Sequence, residues 1–428
     1  MIKNISLEKI NLIKNIELNI ISFFFLLIPV SLITGRALPD ILLSLIGLYF
    51  LIKCFNKKFI LFCINIYTLP ILVFSLYSVY SSLISDNKLI SLTESGTIFY
   101  FRYFFFIMGA GYLISKKKNI LKYFCNIFFF INIFVIFDAF FQLYFGFNLL
   151  GFERNSYQGR LSGIFNDELI LGIFLSTSIP ISIGLILSCY NLKLDNYFIL
   201  TYLFVGFISI IISGDRMALM HYIIFIFIIL LISKNISFKF FFLFIISLIV
   251  SFVLLLNFSD NVKKRFIETV SDYQDTKYYL PFTKVHEGHI ISATKMFIDK
   301  PFFGQGPKLF KFNCMKDKFK NKYSCSTHPH NYYIQLLAET GIIGFLFLFC
   351  LFLVLLKRII FNFYQKIQNN MHNLDDDNKF VYLVLLFSIL WPLGPKLDIY
   401  NNWFNVILYL NIVLLLNSYN IAHKNSDY

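Results

Sequence analysis

The sequence predicts an all-α integral membrane protein with about twelve transmembrane helices and one long external loop. Of the 428 residues, 57% are hydrophobic and only 14% are charged. A soluble domain carries about 25% charged residues, so this composition disfavours a soluble protein. Apolar stretches of roughly 17 to 25 residues follow one another along the chain, and each can cross about 30 Å of hydrocarbon.

Twelve apolar segments are predicted to span the membrane. They lie at residues 18–33, 39–53, 59–84, 97–115, 120–145, 167–189, 196–212, 216–233, 237–257, 331–357, 379–396 and 399–418. We expect the first to be a helix of the protein and not a cleavable signal peptide. Pro29 and Gly35 follow its apolar core without a small-x-small cleavage site, and further apolar segments come at once.

The distribution of basic residues predicts the orientation of the chain. Lysine and arginine concentrate in the short loops that a cytoplasmic N-terminus would place inside the cell. This orientation divides the chain into helices one to nine at 1–257, a long external loop at 258–330 and helices ten to twelve at 331–428. The formal charge of +14 then indicates membrane topology or anion binding, with membrane lipids and no nucleic acid as partners.

Three features share the external face in this topology. They are the loop 146–166, the turn at residues 213–216, and the end of the long loop at His330. Their convergence follows from hydropathy and charge alone, and it predicts a functional site at this membrane surface.

His330 stands at the start of the tenth predicted helix, within His328-Pro329-His330-Asn331. Asn331 is a favourable N-cap, and Pro329 restricts the backbone of the residue before it. A neutral imidazole with a pKa near 6.5 suits a general base near neutral pH. The simpler interpretation is a histidine that bonds only to local backbone.

Arg216 lies at the outer end of the eighth predicted helix. Placing an ionisable side chain in the membrane costs free energy, so such a residue is a functional candidate. A guanidinium can grip phosphate oxygens through two parallel hydrogen bonds. Arg102, near the outer end of the fourth helix, and Arg160, in the 146–166 loop, are weaker candidates of the same kind. The alternative for Arg216 is an interfacial anchor that Asp215 neutralises.

The long loop adds further candidates for binding a substrate. A Gly-x-Gly turn at Gly304 and Gly306 suits close backbone approach to a ligand, and Lys308 follows it and can reach an anion. His286 and His289 are three residues apart, so they share one face if their segment is helical.

Cys314 and Cys325 are the two of the seven cysteines that this topology places outside. An oxidising compartment favours a disulfide between them. Metal binding with His328 and His330 is the alternative. Two cysteines at this separation do not match a usual zinc spacing, so no metal site is predicted.

These motifs together resemble those of the bacterial O-antigen ligases and their relatives, over roughly residues 150–350. His330-Asn331, nine residues, Gly341, two residues and Gly344 match the histidine signature of that family. Three further stretches look like segments of the family, namely the Ser-Gly-Asp-Arg turn that ends at Arg216, the Pro-Phe-Phe-Gly-Gln-Gly stretch of the long loop, and residues 160–168.

The resemblance implies a membrane glycosyltransferase of the GT-C type on the periplasmic face of the bacterial inner membrane. The donor would be a glycan on undecaprenyl pyrophosphate and the acceptor a sugar hydroxyl of lipid A–core, with no metal or other cofactor. Related polymerases pass the glycan to another repeat unit, and related oligosaccharyltransferases pass it to protein.

The resemblance also implies roles for individual residues. His330 matches the presumed base of the family, Arg216 matches the arginine thought to bind pyrophosphate, and a single displacement would invert the anomeric centre. Many relatives carry an essential arginine in the long loop, upstream of the Pro-x-x-Gly-x-Gly stretch. Here that position lies near His286, with His289 just after it and Arg265 further upstream, so a histidine or another cation would make this contact.

A flippase or exporter of lipid-linked glycans is the alternative from another functional class. A transporter should place polar or charged residues near the bilayer midplane of several helices. Here Arg102 and Arg216 lie toward one face, and Asp138 stands nearly alone, with Gln142 one turn away and a structural role expected for both. This clustering of charged residues toward one face favours an enzyme at the membrane interface. A purely structural role for the protein would not explain it.

Overall fold

The computed structural model describes residues 2–55, 68–117, 119–154, 160–267, 283–369 and 374–420. This part of the chain is helical and contains no β-strand, only an isolated bridge between Phe147 and Glu153. The all-α prediction is therefore confirmed. In chain order the α-helices are α1 Ile2–Thr34, α2 Ala37–Lys53, α3 Leu69–Ile84, α4 Lys88–Ser95, α5 Arg102–Lys116, α6 Ile120–Phe145, α7 Leu171–Tyr190, α8 Tyr197–Ser213, α9 Arg216–Ile232, α10 Phe238–Phe258, α11 Asp260–Phe266, α12 Lys284–Asp299, α13 Phe310–Asn313, α14 Tyr332–Ile367, α15 Asp377–Ile389 and α16 Asn402–Asn420.

The helices make the chain a multi-pass membrane protein. Within the described residues, six helices are long and apolar enough to cross a membrane, and α3, α8 and α9 are shorter apolar helices. Each of the twelve predicted spans overlaps a helix, although residues 59–67 of the third span lie outside the described residues. The number of crossings and the GT-C arrangement stay predictions.

Helix α14 is longer than predicted and contains a kink. The tenth span was expected to end at residue 357, whereas the helix continues to Ile367. Asn331 is its N-cap, and the Oδ1 atom of Asn331 accepts hydrogen bonds from the backbone N–H groups of Tyr333 at 3.0 Å and Ile334 at 3.2 Å. At Gly341 the backbone leaves helical geometry, with φ 68°, a conformation that glycine adopts without steric cost.

The eleventh predicted span, 379–396, is wrong at its outer end. Helix α15 stops at Ile389, and residues 390–401 form an irregular connection to α16. Pro392 and Pro395 flank Gly394 in this stretch, and proline can neither donate a backbone hydrogen bond nor continue a helix interior. Side chains from other parts of the protein bond to the backbone of this connection. The carbonyl of Pro392, for example, accepts a 2.7 Å hydrogen bond from Asn331 Nδ2.

The long loop is partly helical, because α11, α12 and α13 all lie in it. Helix α12 brings its histidines to the start of α14. Thr283 caps α12, with its Oγ1 3.3 Å from the backbone N of His286. Ser292 of α12 donates to the carbonyl of Phe319, and Phe319 is buried. The helix is thereby fixed between the loop that follows it and α14.

Candidate active site

Four histidines gather where the long loop meets the start of α14. The ring centroid of His330 lies 4.1 Å from that of His328, 5.1 Å from that of His286 and 5.4 Å from that of His289. Helix α12 supplies two of the rings, and the turn before α14 supplies the other two. The pair His286 and His289 is distant in the sequence from the pair His328 and His330, and the fold brings the two pairs into one histidine cluster.

His330 is held in an unusual backbone conformation. Its φ is 58°, in the left-handed region that few residues other than glycine occupy. Such a residue costs about 1–3 kcal/mol, and residues of this kind concentrate at active sites. The carbonyl of His330 accepts a 2.6 Å hydrogen bond from the backbone N of Lys396, and Ser326 Oγ lies 3.1 Å from His330 Nε2.

His328 holds the irregular connection in place. Its Nε2 lies 3.0 Å from the carbonyl oxygen of Lys396. A carbonyl only accepts hydrogen bonds, so Nε2 carries the proton. The Nδ1 atom then accepts from the hydroxyl of Thr327 at 2.9 Å. Both ring nitrogens of His328 are therefore engaged, which leaves His330 as the better placed of the two to receive a proton from a substrate.

Burial keeps the histidine cluster neutral. Desolvation, followed by the neighbouring imidazoles, lowers the pKa of His330 to about 3 and that of His286 to about 4. Desolvation also lowers the pKa of His289 and of His328. An anionic substrate beside the rings would raise these pKa values, because a negative charge favours the imidazolium form.

No group of three or more His, Cys, Asp or Glu among the described residues is arranged to hold a metal ion.

We expect acid to destabilise the protein through this cluster. Above about pH 6.5 the imidazoles are neutral in the folded and unfolded states and contribute no pH dependence. Below it the unfolded chain binds protons that the folded site excludes, so the free energy of unfolding falls until the pH reaches about 4 for His286 and about 3 for His330. Thermal unfolding at pH 7.5 and pH 5 checks this. His286→Gln should lose less stability on acidification than wild type, and an equal loss would contradict the assignment.

The turn at residues 213–216 joins α8 to α9 and is built around Asp215. The Oδ1 atom of Asp215 caps α9 by accepting from the backbone N–H groups of Met217 at 3.1 Å and Ala218 at 3.2 Å. Its Oδ2 lies 3.0 Å from Nη2 of Arg160. Asp215 therefore pairs with Arg160 and not with Arg216, contrary to the neutralising role expected for it.

Three arginines converge on this turn. Arg216 donates from Nε to the carbonyl oxygen of Arg265 at 3.1 Å, and Arg265 donates from Nε to the carbonyl oxygen of Gly214 at 2.8 Å. Arg160 contacts the turn through its ion pair with Asp215. Two of these residues were predicted as phosphate ligands. Arg265 lies in the long loop, upstream of the position near His286 where the family resemblance implies a further cation.

Arg102 occupies a different environment. Its Nη2 lies 2.9 Å from Oδ1 of Asp40, and both side chains are largely buried. The same nitrogen is 3.1 Å from the hydroxyl of Tyr103. The structure thus places Arg102 in a contact between α2 and α5, and it shows no contact of Arg102 with the described part of the histidine cluster or the turn.

Lys308 belongs to a buried polar network and not to an open anion site. Its Nζ lies 2.6 Å from Oδ2 of Asp398, which is 7% exposed. The other oxygen of Asp398 accepts from Gln335 Nε2 at 2.8 Å, and the same amide donates to Glu339 at 3.0 Å. The network ties the loop to α14 and to the irregular connection.

The Gly-x-Gly turn packs on protein backbone, so the expected role in ligand approach is replaced by a structural one. A Cβ atom on Gly304 would lie 2.3 Å from the carbonyl carbon of Glu339, and one on Gly341 would lie 2.3 Å from the carbonyl oxygen of Phe302. The backbone N of Gly306 donates to Glu339 at 2.8 Å. The two glycine motifs therefore approach one another across the kink in α14.

The connection 390–401 brings the histidines and the arginine turn toward each other. It bonds to His328 and His330 through Lys396, and a Cβ atom on Gly394 would lie 2.7 Å from Cε of Met217, the residue after Arg216. The buried Nζ of Lys396 donates to the carbonyl of Ile389 at 3.0 Å and contacts Nε2 of His221. Lys396, His221 and Asp398 were missed, although an ionisable residue in an apolar segment is a signal that could have found them.

Both polar atoms of the Asn331 side-chain amide form hydrogen bonds within the protein. Its Oδ1 caps α14, as the sequence predicted, and its Nδ2 bonds to Pro392. Since both polar atoms are engaged within the protein, Asn331 shapes the site and is not an evident substrate ligand.

Cys314 and Cys325, the pair singled out in the sequence, form a disulfide with Cα atoms 5.3 Å apart. The bridge closes the segment between α13 and the histidine turn. It therefore fixes the chain a few residues before His328.

Removing this disulfide should destabilise the protein by about 2–3 kcal/mol, on the chain-entropy estimate for so short a loop. The measurement is thermal unfolding of the Cys314→Ser/Cys325→Ser variant in detergent. Cys350→Ser, at an exposed position outside the bridge, is the control and should unfold like wild type. Two free thiols in the mass spectrum of the non-reduced protein would refute the bridge.

Part of the chain matches a known family. Residues 201–349 match the O-antigen ligase family model. The matched region contains the arginine turn, the long loop, the histidine cluster and the kink of α14. No curated protein matches the chain.

Proposed function

Because the chain carries an O-antigen ligase-related domain at residues 201–349, we propose that it transfers a glycan from undecaprenyl pyrophosphate to a sugar hydroxyl of lipid A–core. The observation that carries this proposal is the convergence of His330 and the arginine turn on the connection 390–401. One element supplies a neutral proton acceptor, and the other supplies fixed positive charge.

The proposed reaction is a single displacement at the anomeric carbon. His330 accepts the proton of the acceptor hydroxyl as its oxygen attacks, and pyrophosphate leaves with the electron pair of the glycosidic bond. Arg216, with Arg160 and Arg265 beside it, stabilises the charge that grows on the leaving group, an effect that preorganised cations produce well in a partly dry site. Attack from the face opposite the leaving group inverts the anomeric configuration.

The positions of the four histidines refine the proposed roles. His328 orients the turn that carries His330, because both of its ring nitrogens bond to protein groups. His286 and His289 line the same cluster, and a pyrophosphate oxygen close to either imidazole would raise its pKa toward neutrality. These two residues, or Arg265, take the place of the family's loop arginine in this proposal.

Repeat-unit polymerisation requires the same donor site and base, and the phenotype of a deletion separates it from ligation. Loss of a ligase leaves lipid-linked polymer that is not attached to lipid A–core. Loss of a polymerase leaves single repeat units attached instead. We expect unattached polymer, and single repeat units would replace the ligase assignment with a polymerase.

The proposal also requires the site to lie on one membrane face, the periplasmic face of the inner membrane. In a variant that keeps only Cys314 and Cys325, single cysteines at the exposed positions Asp167 and Thr327 should react with an impermeant thiol reagent from the periplasm. Asp167 reports on the loop beside Arg160, and Thr327 reports on the turn before His330. Labelling of the two from opposite sides would rule out this topology.

A further inference from the structure

Lys396 is a buried lysine that no step of the proposed reaction uses. It is only 7% exposed, although it lies in the irregular connection 390–401. Its backbone bonds to both histidines of the turn before α14. The backbone N donates to the carbonyl oxygen of His330 at 2.6 Å, and the carbonyl oxygen lies 3.0 Å from Nε2 of His328. The position of Lys396 therefore fixes the turn that carries His330.

The side chain of Lys396 anchors this residue to two helices. Its Nζ donates to the carbonyl oxygen of Ile389 at 3.0 Å and lies 3.5 Å from that of Ser388, both in the last turn of α15. Carbonyl groups at a helix C-terminus lack partners within the helix, so an amino group is well placed there. The Nζ atom also contacts Nε2 of His221 on α9. This contact joins the two side chains whichever of the two nitrogens donates the proton.

His221 links Lys396 to the arginine turn. It lies on the same helix as Arg216, the first residue of α9, and about 7.5 Å further along the helix axis at 1.5 Å per residue. The connection also packs on α9 directly, because a Cβ atom on Gly394 would lie 3.0 Å from Cε of Met220. The helix that begins with Arg216 thus holds the connection that bonds to the histidine turn.

We propose that His221 and Lys396 are positioning residues, whose contact holds the base His330 at a fixed distance from Arg216. The inference rests on the proposed function for the roles of His330 and Arg216. The two side chains act through the backbone of the connection and not on the substrate. An irregular segment has no regular hydrogen-bond pattern of its own, so its place depends on such side-chain anchors. A displacement of about 1 Å at a catalytic group can cost about 10²-fold in rate.

Lys396→Met tests this role, because it removes the amino group and leaves the backbone bonds to His330 in place. Without its anchor the connection moves relative to α9, whereas Arg216 stays on its helix. We expect the transfer rate at saturating donor to fall about 10- to 100-fold, with the dissociation constant of the donor within about twofold of wild type. His221→Leu should show the same split. The double variant should be no worse than either single variant, because both changes remove one contact.

A rescue and a matched control separate positioning from general stability. A glutamine amide can accept a hydrogen bond from the amino group or donate one to it, so His221→Gln should recover most of the rate that His221→Leu loses. Lys366→Met is the control. The Nζ of Lys366 also bonds to carbonyl groups, those of Leu231, Ser233 and Ile236, but at the opposite end of α9, and Lys366 is 8% exposed. This variant should lower the unfolding temperature as the site variants do, yet transfer glycan at the wild-type rate.

The distance between the two halves of the site can be measured without any substrate. In the variant that keeps only the two disulfide cysteines, nitroxide labels at Asp167→Cys and Thr327→Cys report on the loop beside the arginine turn and on the histidine turn. Pulsed electron paramagnetic resonance gives the distribution of distances between the labels. Lys396→Met should broaden or shift this distribution, and Lys366→Met should leave it unchanged.

Unchanged transfer by Lys396→Met, or an unchanged distance distribution in that variant, would overturn the inference. An equal loss of transfer in Lys366→Met would do the same, as would a rate for His221→Gln no higher than that for His221→Leu. If wild type transfers no glycan but Lys396→Met still broadens the distance distribution, the proposed function is refuted and the link between the two turns stands.

Discussion

His330→Ala is expected to lower the rate of glycan transfer by about 10²–10⁴-fold, the usual contribution of a general base. The lost group acts on the proton of the acceptor, so turnover should fall while donor binding stays close to that of wild type. The measurement is the initial rate with purified protein and a lipid pyrophosphate donor, beside a donor-binding assay.

The backbone of His330 suggests a better matched variant. With φ at 58°, alanine is strained at this position, whereas asparagine tolerates the left-handed region. His330→Asn should therefore stay folded, with an unfolding temperature like that of wild type, and should be as inactive as His330→Ala. If His330→Asn retained near wild-type transfer, His330 would not be the base, and the cluster would need another proton acceptor.

Arg216→Ala is expected to weaken donor binding by about 1.5–3 kcal/mol, the loss for a hydrogen bond to a charged group. This corresponds to roughly a 10- to 150-fold rise in the dissociation constant. Arg216→Lys should restore only part of the affinity, because an ammonium cannot form the bidentate contact.

The control for this loss is Arg36→Ala, which removes the same charge from an exposed pair with Glu168. It should leave donor binding unchanged. Since Arg216 also donates to the carbonyl of Arg265, the unfolding temperature of each variant must be measured as well. Equal donor affinity in Arg216→Ala and wild type would leave Arg216 as an anchor between α9 and α11.

The parts of the fold that depend on local sequence could be predicted. Runs of apolar residues marked the helices, because a membrane helix satisfies its own backbone hydrogen bonds. Asn331 was recognised as an N-cap because that role depends on residues within one turn of it. The Ser-Gly-Asp-Arg turn could be placed at the junction of two helices for the same reason.

The partners of the charged residues could not be predicted, because they come from distant parts of the chain. Lys308 pairs with Asp398, and Asp215 pairs with Arg160. Apolar character also concealed the irregular connection 390–401, since Leu390 and Trp391 continue the pattern of α15 until the prolines interrupt it. The sequence singled out His330, His286 and His289, but it did not show that these rings lie together or that Lys396 positions His330.

The close approach of the two glycine motifs also depended on tertiary structure. Gly304 and Gly341 each permit unusual backbone in isolation, and a ligand was a reasonable partner for either. Gly304 packs against the backbone of Glu339, and Gly341 packs against the backbone of Phe302, so neither position has room for a Cβ atom. Gly304→Ala should accordingly disturb α14, because the added Cβ would meet backbone that cannot move aside.

The central proposal is that this chain moves a glycan from a polyisoprenoid pyrophosphate at the site formed by His330 and the arginine turn. The direct measurement incubates purified wild type and His330→Asn with a defined lipid pyrophosphate glycan and lipid A–core, and resolves the products by mass spectrometry. We predict glycosylated lipid A–core and released undecaprenyl pyrophosphate for wild type, with neither product above background for His330→Asn. An intact donor after incubation with folded wild type, or equal product from both proteins, would contradict the proposal.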